Sequence, residues 1–287
     1  MEIRDVNQAN INDAERNFDN SLNQVVKNII TSKCKIVYLA GPSSSGKTTT
    51  AKYLTNKLTV QGYNAVYISL DNFYHNRVDI QTLANGVKDL ESIKALDSKA
   101  FEKVVNNLLN GEACEIPKYD FSKGERSSET IKFAADEERI CIFEGIHALN
   151  PLLMGKSEKS SYKIYISVAT DVYDGVDLWL DQTQIRLMRR FIRDFYHRNS
   201  SLEYTLSLWQ GVLLGELNYI TPFIDRADVK INSFHDYELK MIKAEMLILA
   251  QNQENKQVND LLEKLEAFND LSKELLPKTS LLNEFLK

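Results

Sequence analysis

The sequence predicts an α/β protein with a doubly wound parallel sheet and added helices at both ends of the chain. Two observations lead to this prediction. Short apolar segments alternate with longer segments of helical spacing, a pattern typical of parallel sheets. In addition, the strand pattern Lys35–Ala40 runs directly into a glycine-rich loop and a helical segment, Thr49–Leu58. A strand, loop and helix in this order form a phosphate-binding edge in such sheets.

The loop Gly41-Pro-Ser-Ser-Ser-Gly-Lys-Thr matches G-x-x-x-x-G-K-[ST] at every fixed position. The alternative is a chance glycine-rich turn, and the flanking strand and helix argue against it. Lys47 is placed to neutralise the outer phosphates of a nucleotide, and the Thr48 hydroxyl to bind Mg²⁺. The motif therefore predicts a P-loop NTPase-type fold that binds a nucleoside triphosphate. Its expected nucleotide-binding residues are Gly41, Ser43, Ser44, Ser45, Gly46, Lys47, Thr48 and Thr49.

Composition excludes several classes of function. The net charge of −5 argues against nucleic-acid binding as the main task, and no apolar run approaches the roughly 20 residues that cross a bilayer. Neither the four histidines nor the three cysteines have the spacing of a zinc site, so reduced thiols are expected. With a polar N-terminus unlike a signal peptide, we expect a cytoplasmic protein without nucleic-acid or membrane partners.

The remaining strands and two insertions follow from the same alternation. Residues 72–98 are polar and irregular, and residues 112–134 resemble a β-hairpin that turns near Lys123-Gly124. Neither continues the sheet, so both are expected to cover its carboxyl edge as flaps over the ligand. The other predicted strands are Ala65–Leu70, Arg139–Phe143, Tyr162–Val168 and Ala227–Asn232.

Both ends of the chain are predicted to be helical. Residues 5–32 carry one apolar stripe, which predicts an amphipathic helix within the segment 1–34. A similar pattern from Val258 to Leu275 stops at Pro277, and we expect that helix to dock on the protein rather than to dimerise, although a homo-oligomer stays open. The expected divisions are 1–34, a phosphate-loop domain at 35–235 and a helical extension at 236–287.

Two acids end predicted strands beside the phosphate loop. Asp71 follows the second strand, where it could accept a proton from an attacking hydroxyl or hold Mg²⁺ through water. A turn aspartate is the alternative. The aromatic neighbours of Asp71, including Tyr74, could form the wall of a substrate pocket. Glu144 ends the third strand, and a buried acid there is suited to organise a metal.

Arginines recur along one predicted helix, within a segment at 183–201. Because they are spaced as one helical stripe in an acidic protein, we favour a lid that covers phosphates over a solvated basic face. Phosphoryl transfer requires cations that stabilise charge on the transferring group. The row consists of Arg186, Arg189, Arg190 and Arg193, with Arg198 at its end.

The sequence resembles the uridine kinase and phosphoribulokinase family between about Ile36 and Tyr237. The resemblance lies in GPSSSGKTT, ISLDNFY, IPKYDF, IFEGIHALNP and RLMRRFIRDFYHR, and the tail is similar to divergent bacterial uridine-kinase-like proteins. It implies an ATP- and Mg²⁺-dependent kinase of a nucleoside 5′-hydroxyl, in which Asp71 is the catalytic base. Lys47 and Thr48 would hold the nucleotide and metal, and Glu144 would assist the metal.

The resemblance also implies residues for substrate and lid. Tyr119 and Phe121 would line the nucleoside pocket, Arg190 would reach the substrate, and Glu91 would replace the aspartate that binds the sugar. Arg193 and Arg198 would act on phosphates, with Arg193 taking part in catalysis. Besides Glu91, three positions depart from the family's pattern: Gly124 stands in place of a histidine, Ser200 in place of an arginine and Leu208 in place of a glutamine.

Other functions stay open at this point. Lys118, Lys123 and Arg126 would suit a kinase of another hydroxyl compound, such as a sugar phosphate, pantothenate or glycerate. A regulator that binds ATP without catalysis is the second alternative, and it would not need Asp71 or Glu144. Because few polar groups remain to read a base, we expect a uridine- or cytidine-like substrate bound with weak base selectivity.

Overall fold

A computed structural model describes residues 1–83, 86, 88–251 and 254–286 of the chain. Its central sheet has five strands that are all parallel, which confirms the predicted fold class. The two strands beside the phosphate loop are buried along their whole length, because helices cover both faces of the sheet. Across the sheet the order is β2 (Ala65–Ser69), β5 (Ile140–Glu144), β1 (Ile36–Ala40), β6 (Ser161–Ser167) and β9 (Val229–Asn232).

Helices pack on both faces of this sheet. The predicted helix after the phosphate loop is present, and among the described residues no helix has the length and apolar character needed to cross a membrane. The helices are α1 (Ile3–Gln8), α2 (Ile11–Ser32), α3 (Lys47–Val60), α4 (Ser98–Leu109), α5 (Pro151–Met154), α6 (Gln182–Arg198), α7 (Leu202–Tyr219), α8 (Glu238–Leu249) and α9 (Lys256–Leu265).

Two antiparallel hairpins lie outside the sheet. The predicted flap is formed by β3 (Cys114–Asp120) and β4 (Glu125–Phe133), which turn at Gly124 with a φ of 71°. A second hairpin, β7 (Val172–Asp174) with β8 (Asp177–Leu180), was not predicted. Its strands are too short to give a strand pattern, because alternation becomes recognisable only over about four to eight residues.

Both chain ends differ from the prediction. The N-terminal segment forms two helices rather than one, because the Asn10 side chain accepts hydrogen bonds from the first amides of α2 and so begins a new helix. The C-terminal helix ends at Leu265 rather than Leu275. Beyond it, Asn269, Asp270 and Ser272 favour turns, and the apolar residues pack on the core from irregular backbone.

The two faces of the sheet have separate hydrophobic cores. One core holds residues from 1–34, 35–235 and 236–287, including Leu22, Leu54 and Leu261. The other lies under α4, α5 and the flap, and contains Phe101 and Phe143. The terminal helices therefore pack on the face that also carries α3 and the phosphate loop.

Candidate active site

The phosphate loop joins β1 to α3 and contains two residues in the left-handed region of backbone conformation. Ser44 and Gly46 have positive φ values of 59° and 86°, and Gly46 caps α3. A side chain at Gly41 could not fit, because its Cβ would lie 2.1 Å from the Ile166 carbonyl oxygen. The loop therefore presents backbone N–H groups and a helix N-terminus to one concave site, the arrangement that binds phosphate.

The polar side chains of the loop fit a bound anion. Lys47 Nζ donates to the Pro42 carbonyl at 2.8 Å, and burial lowers its pKa while Glu144, Glu284 and Asp71 favour its charged form. Within the described residues, the hydroxyls of Ser44 and Ser45 are buried without hydrogen-bond partners. Buried polar atoms are rarely left unpaired, so a phosphate group would complete this site.

Thr48 and Glu144 make up the candidate metal position. Thr48 Oγ1 donates to Glu144 Oε1 at 3.3 Å. Among the described residues no three acidic, histidine or cysteine side chains group into a metal site. Mg²⁺ does not require such a group, because it keeps several waters and binds one or two protein oxygens together with substrate phosphates. Thr48 and Glu144 therefore fit this ion.

Three acids face the same site from different segments. Asp71 follows β2 and Glu144 ends β5, and these strands are neighbours with Ser69 paired to Glu144. Burial raises the pKa of Asp71, opposed by Lys47, Arg198 and Arg193. Burial also raises the pKa of Glu144 to about 7, with Asp71 adding to the effect.

Glu91 is the third acid. Burial raises its pKa to about 7, while Arg190 and Lys47 oppose the shift. The Asp71 charge adds to the rise in the pKa of Glu91, as it does for Glu144.

The first three arginines of the row on α6 are buried, whereas the last two are half-buried and exposed. Arg186 forms an ion pair of 2.7 Å with Glu216 and donates to the Ser43 carbonyl at 3.4 Å. Arg190 Nη1 donates to Ser43 Oγ at 2.9 Å. The helix therefore lies directly against the phosphate loop.

Arg189 has a different environment. It is fully buried, pairs with the fully buried Glu238 at 2.6 Å, and donates to the Ser233 carbonyl at 2.8 Å. Arg189 Nη1 also donates to the Ser44 carbonyl of the phosphate loop at 3.3 Å, so Arg189 joins α6 both to the segment before α8 and to that loop. It belongs to the row by spacing, but it is part of the protein interior.

Asp194 forms ion pairs with three arginines of α6, and the sequence analysis did not identify it. Its carboxylate lies 2.7 Å from Arg193, 3.2 Å from Arg190 and 3.5 Å from Arg198. The signal in the sequence was an acid four residues after Arg190 and four before Arg198, where side chains on a helix meet. Asp194 holds the three guanidinium groups of the lid near one another.

Aromatic side chains form the wall beside Asp71. The ring centroids of Tyr74 and Tyr119 lie 5.8 Å apart, and those of Tyr119 and Phe121 lie 5.0 Å apart. Phe121 is 57% exposed, so its face is free for a ligand. Asn72 Oδ1 accepts a hydrogen bond from the Tyr119 amide at 3.3 Å, which fixes the flap to the segment that carries Asp71.

Arg77 fills the space beside the flap's turn. A Cβ on Gly124 would lie 3.1 Å from the Arg77 side chain, and the Arg77 amide donates to the Gly124 carbonyl at 2.8 Å. Sequence reasoning missed this residue, because it lies in the irregular segment 72–98 with no motif around it. The guanidinium of Arg77, which belongs to another segment, therefore lies beside Gly124.

A tryptophan of α7 lies beside α6, and Glu91 lies beside α7. Arg186 and Arg190 lie over the Trp209 ring, with guanidinium carbons 5.7 and 5.9 Å from its centroid. Glu91 packs on Gly215, because a Cβ added to Gly215 would lie 2.5 Å from the Glu91 Cβ. The predicted residues Glu91 and Arg190 thus share one side of the cleft with α7.

Comparison with known proteins agrees with this architecture. Residues 36–240 match the sequence profile of the phosphoribulokinase / uridine kinase family. The chain is 30% identical to a uridine kinase of Macrococcus caseolyticus over 203 residues, which cover 70% of this chain and 88% of the relative. A uridine kinase of Staphylococcus haemolyticus is 27% identical over 197 residues, 68% of this chain and 86% of the relative.

Among solved structures, a kinase assigned to a fructose transport system of Silicibacter sp. TM1040 is similar in fold. It superposes with a TM-score of 0.50 at 16% identity, over 73% of this chain and 98% of its own.

Proposed function

The chain belongs to the phosphoribulokinase / uridine kinase family of ATP-dependent kinases, and we propose that it phosphorylates the 5′-hydroxyl of a nucleoside, with uridine and cytidine as the foremost candidates. The observation that carries this proposal is the aromatic wall beside Asp71. Tyr74, Tyr119 and Phe121 offer ring faces and edges to a planar base, next to a carboxylate that can accept a proton.

The donor side would hold ATP through the phosphate loop. The backbone amides of Gly41 to Thr49, with the Ser43, Ser44 and Ser45 side chains, would surround the phosphates, and Lys47 would neutralise them. Mg²⁺ held by Thr48 and Glu144 would supply further positive charge. Arg193 and Arg198 would approach from the lid, where Asp194 orients them.

Asp71 is proposed as the general base. The acceptor hydroxyl loses its proton to the Asp71 carboxylate while its oxygen forms a bond to the γ-phosphorus. The bond from that phosphorus to the β,γ-bridging oxygen breaks, and ADP leaves. Lys47 and Arg193 stabilise the charge on the transferring group. Glu91 and Arg190, which interact with each other, are proposed to position the sugar.

The activity should depend on pH near neutrality. A carboxyl with a raised pKa is partly protonated below that value, and a protonated acid can neither take a proton nor hold Mg²⁺. Because burial raises the pKa of Asp71, and that of Glu144 to about 7, kcat/KM should fall as the pH drops below about 7. Because Asp71 influences the pKa of Glu144, this fall in kcat/KM reflects the titration of both carboxyls together. A rate that stays constant over about two pH units below neutrality would contradict it.

The cations that would favour a sugar phosphate are already paired. Lys118 lies 2.9 Å from Glu129, Lys123 3.9 Å from Asp120, and Arg126 3.1 Å from Asp97. These carboxylates reduce the positive charge available to a phosphorylated acceptor. This pairing supports a nucleoside over the sugar phosphate, and the kinase family argues against a regulator without catalysis.

The test is ADP release with a panel of acceptors under identical Mg·ATP. We expect turnover with uridine, cytidine, adenosine, guanosine or inosine, and a spread in kcat/KM below about 10³-fold, because stacking and apolar contact discriminate weakly. Ribulose 5-phosphate, pantothenate and glycerate serve as controls, and a clear preference for any of them would refute the nucleoside proposal. One base preferred by more than about 10³-fold would refute only the weak selectivity, and Arg77 would be the first candidate reader of that base.

A further inference from the structure

The segment 280–286 lies against the phosphate loop, although it is more than two hundred residues away in sequence. Glu284 Oε2 accepts hydrogen bonds from the Thr49 amide at 3.2 Å and from Thr49 Oγ1 at 2.7 Å. Leu281 packs on Gly46, where an added Cβ would lie 2.5 Å from Leu281 Cδ1. A carboxylate therefore occupies the first turn of α3, where the positive end of the helix favours an anion.

The segment is firmly docked. Its apolar side chains Leu281, Leu282, Phe285 and Leu286 are all buried, and Phe285 lies under the Arg189 guanidinium with 4.9 Å between carbon and ring centroid. The contact with α3 is therefore held by packing on the phosphate loop and on the lid helix. This packing places the Glu284 carboxylate next to the phosphate loop.

Glu284 also acts on the charges of the site. It favours the charged form of Lys47 and of Arg198, and it helps to raise the pKa of Glu144. These are the groups that would surround the phosphates of a donor nucleotide. Glu284 thus provides the negative charge that a phosphate would otherwise bring.

We propose that Glu284 occupies a donor-phosphate position and that the segment 280–286 is an inhibitory latch which the nucleotide must displace. The proposal rests on the proposed donor site at the phosphate loop. A phosphate and the Glu284 carboxylate cannot both accept from the Thr49 amide, and like charges so close repel each other. The apparent nucleotide affinity is then lowered by the fraction of molecules in which Glu284 remains in place.

Space for such a movement lies beside the segment. A cavity of about 390 Å³ is lined by parts of α2 and α3, and Thr279 and Leu281 line it from the side of the segment. Thr49 and Tyr53 of α3 line the same cavity. The cavity therefore offers room beside the segment on the side of α3.

The experiment compares nucleotide binding by Glu284→Gln and Glu284→Ala with that by wild type, using the full chain and isothermal titration calorimetry. Glutamine keeps the size of the side chain and removes its charge. We expect both variants to bind ADP and ATP about tenfold or more tightly, since hydrogen bonds to charged groups are the strong ones. Adenosine, which carries no phosphate, should bind each protein within about twofold of wild type. Glu274→Gln, at an exposed acid outside the contact, should change nothing.

Unchanged affinity of both Glu284 variants for ADP would overturn the latch. An equal gain for adenosine would overturn it as well, because the carboxylate would then oppose the nucleoside rather than the phosphates. If neither wild type nor variants bind ADP, the donor site itself fails, and the latch fails with it. Thermal melting of each protein without ligand establishes that the variants are folded.

Discussion

Replacing Asp71 by asparagine is expected to lower kcat by about 10²–10⁴-fold with nucleoside and Mg·ATP saturating. Asparagine keeps the shape of the side chain and removes the group that takes the proton. The structure places Asp71 where burial raises its pKa and Lys47 and Arg193 face it, between the phosphate loop and the aromatic wall. Because the proton moves only as the phosphoryl group is transferred, the loss should appear in kcat rather than in KM.

The matched control is Asp79→Asn, which removes the same charge from an exposed position in the same segment. It should retain the activity of wild type. Binding of ADP by Asp71→Asn, measured directly, should also be retained, since Asp71 is proposed to act on the acceptor. Turnover by Asp71→Asn within about threefold of wild type would remove Asp71 from the role of base.

The parts of the site that the sequence predicts are those that a single segment or a shared sheet edge specifies. The phosphate loop follows from fixed glycines between a strand and a helix, and Asp71 and Glu144 meet because neighbouring parallel strands end at the same edge. Glu91 and Tyr119 were assigned through the family resemblance, and the structure places both at the cleft. Their roles stay predictions.

What the sequence could not predict depends on contacts between distant segments. Glu284 has no motif, and its contact with Thr49 exists only because the irregular chain after α9 packs against the lid helix. If α9 had continued to Leu275, as predicted, the residues after it would not have reached Thr49. Arg77 reaches Gly124 for a similar reason, through a segment without regular structure.

The arginine row shows the same limit within one helix. Spacing of 3.6 residues identifies a common stripe, but it does not say which partner each side chain meets. Arg190 and Arg193 meet Asp194 near the site, whereas Arg189, on the same stripe, meets Glu238 in the interior. The partner residues distinguish an arginine beside the proposed phosphate site from one that joins elements of the fold.

That distinction can be measured, because replacing Arg189 by methionine should lower the free energy of unfolding by about 3–5 kcal/mol. Methionine fills much of the space but leaves the Glu238 carboxylate buried without its cation, with the His235 amide still donating to it. Urea denaturation followed by circular dichroism gives the difference. Adding Glu238→Gln to Arg189→Met should recover part of the loss, since the uncompensated charge is then gone.

Arg193→Met is the matched comparison on the same helix. Asp194 would keep Arg190 and Arg198 as partners, so the loss of stability should be smaller while kcat falls. Equal stability of Arg189→Met and wild type would mean that the buried pair contributes nothing. Equal losses of stability and of kcat in both variants would mean that the row acts as one unit. A stability loss confined to Arg189 and an activity loss dominated by Arg193 would instead show that one helix anchors the fold with one arginine and serves the reaction with its neighbours.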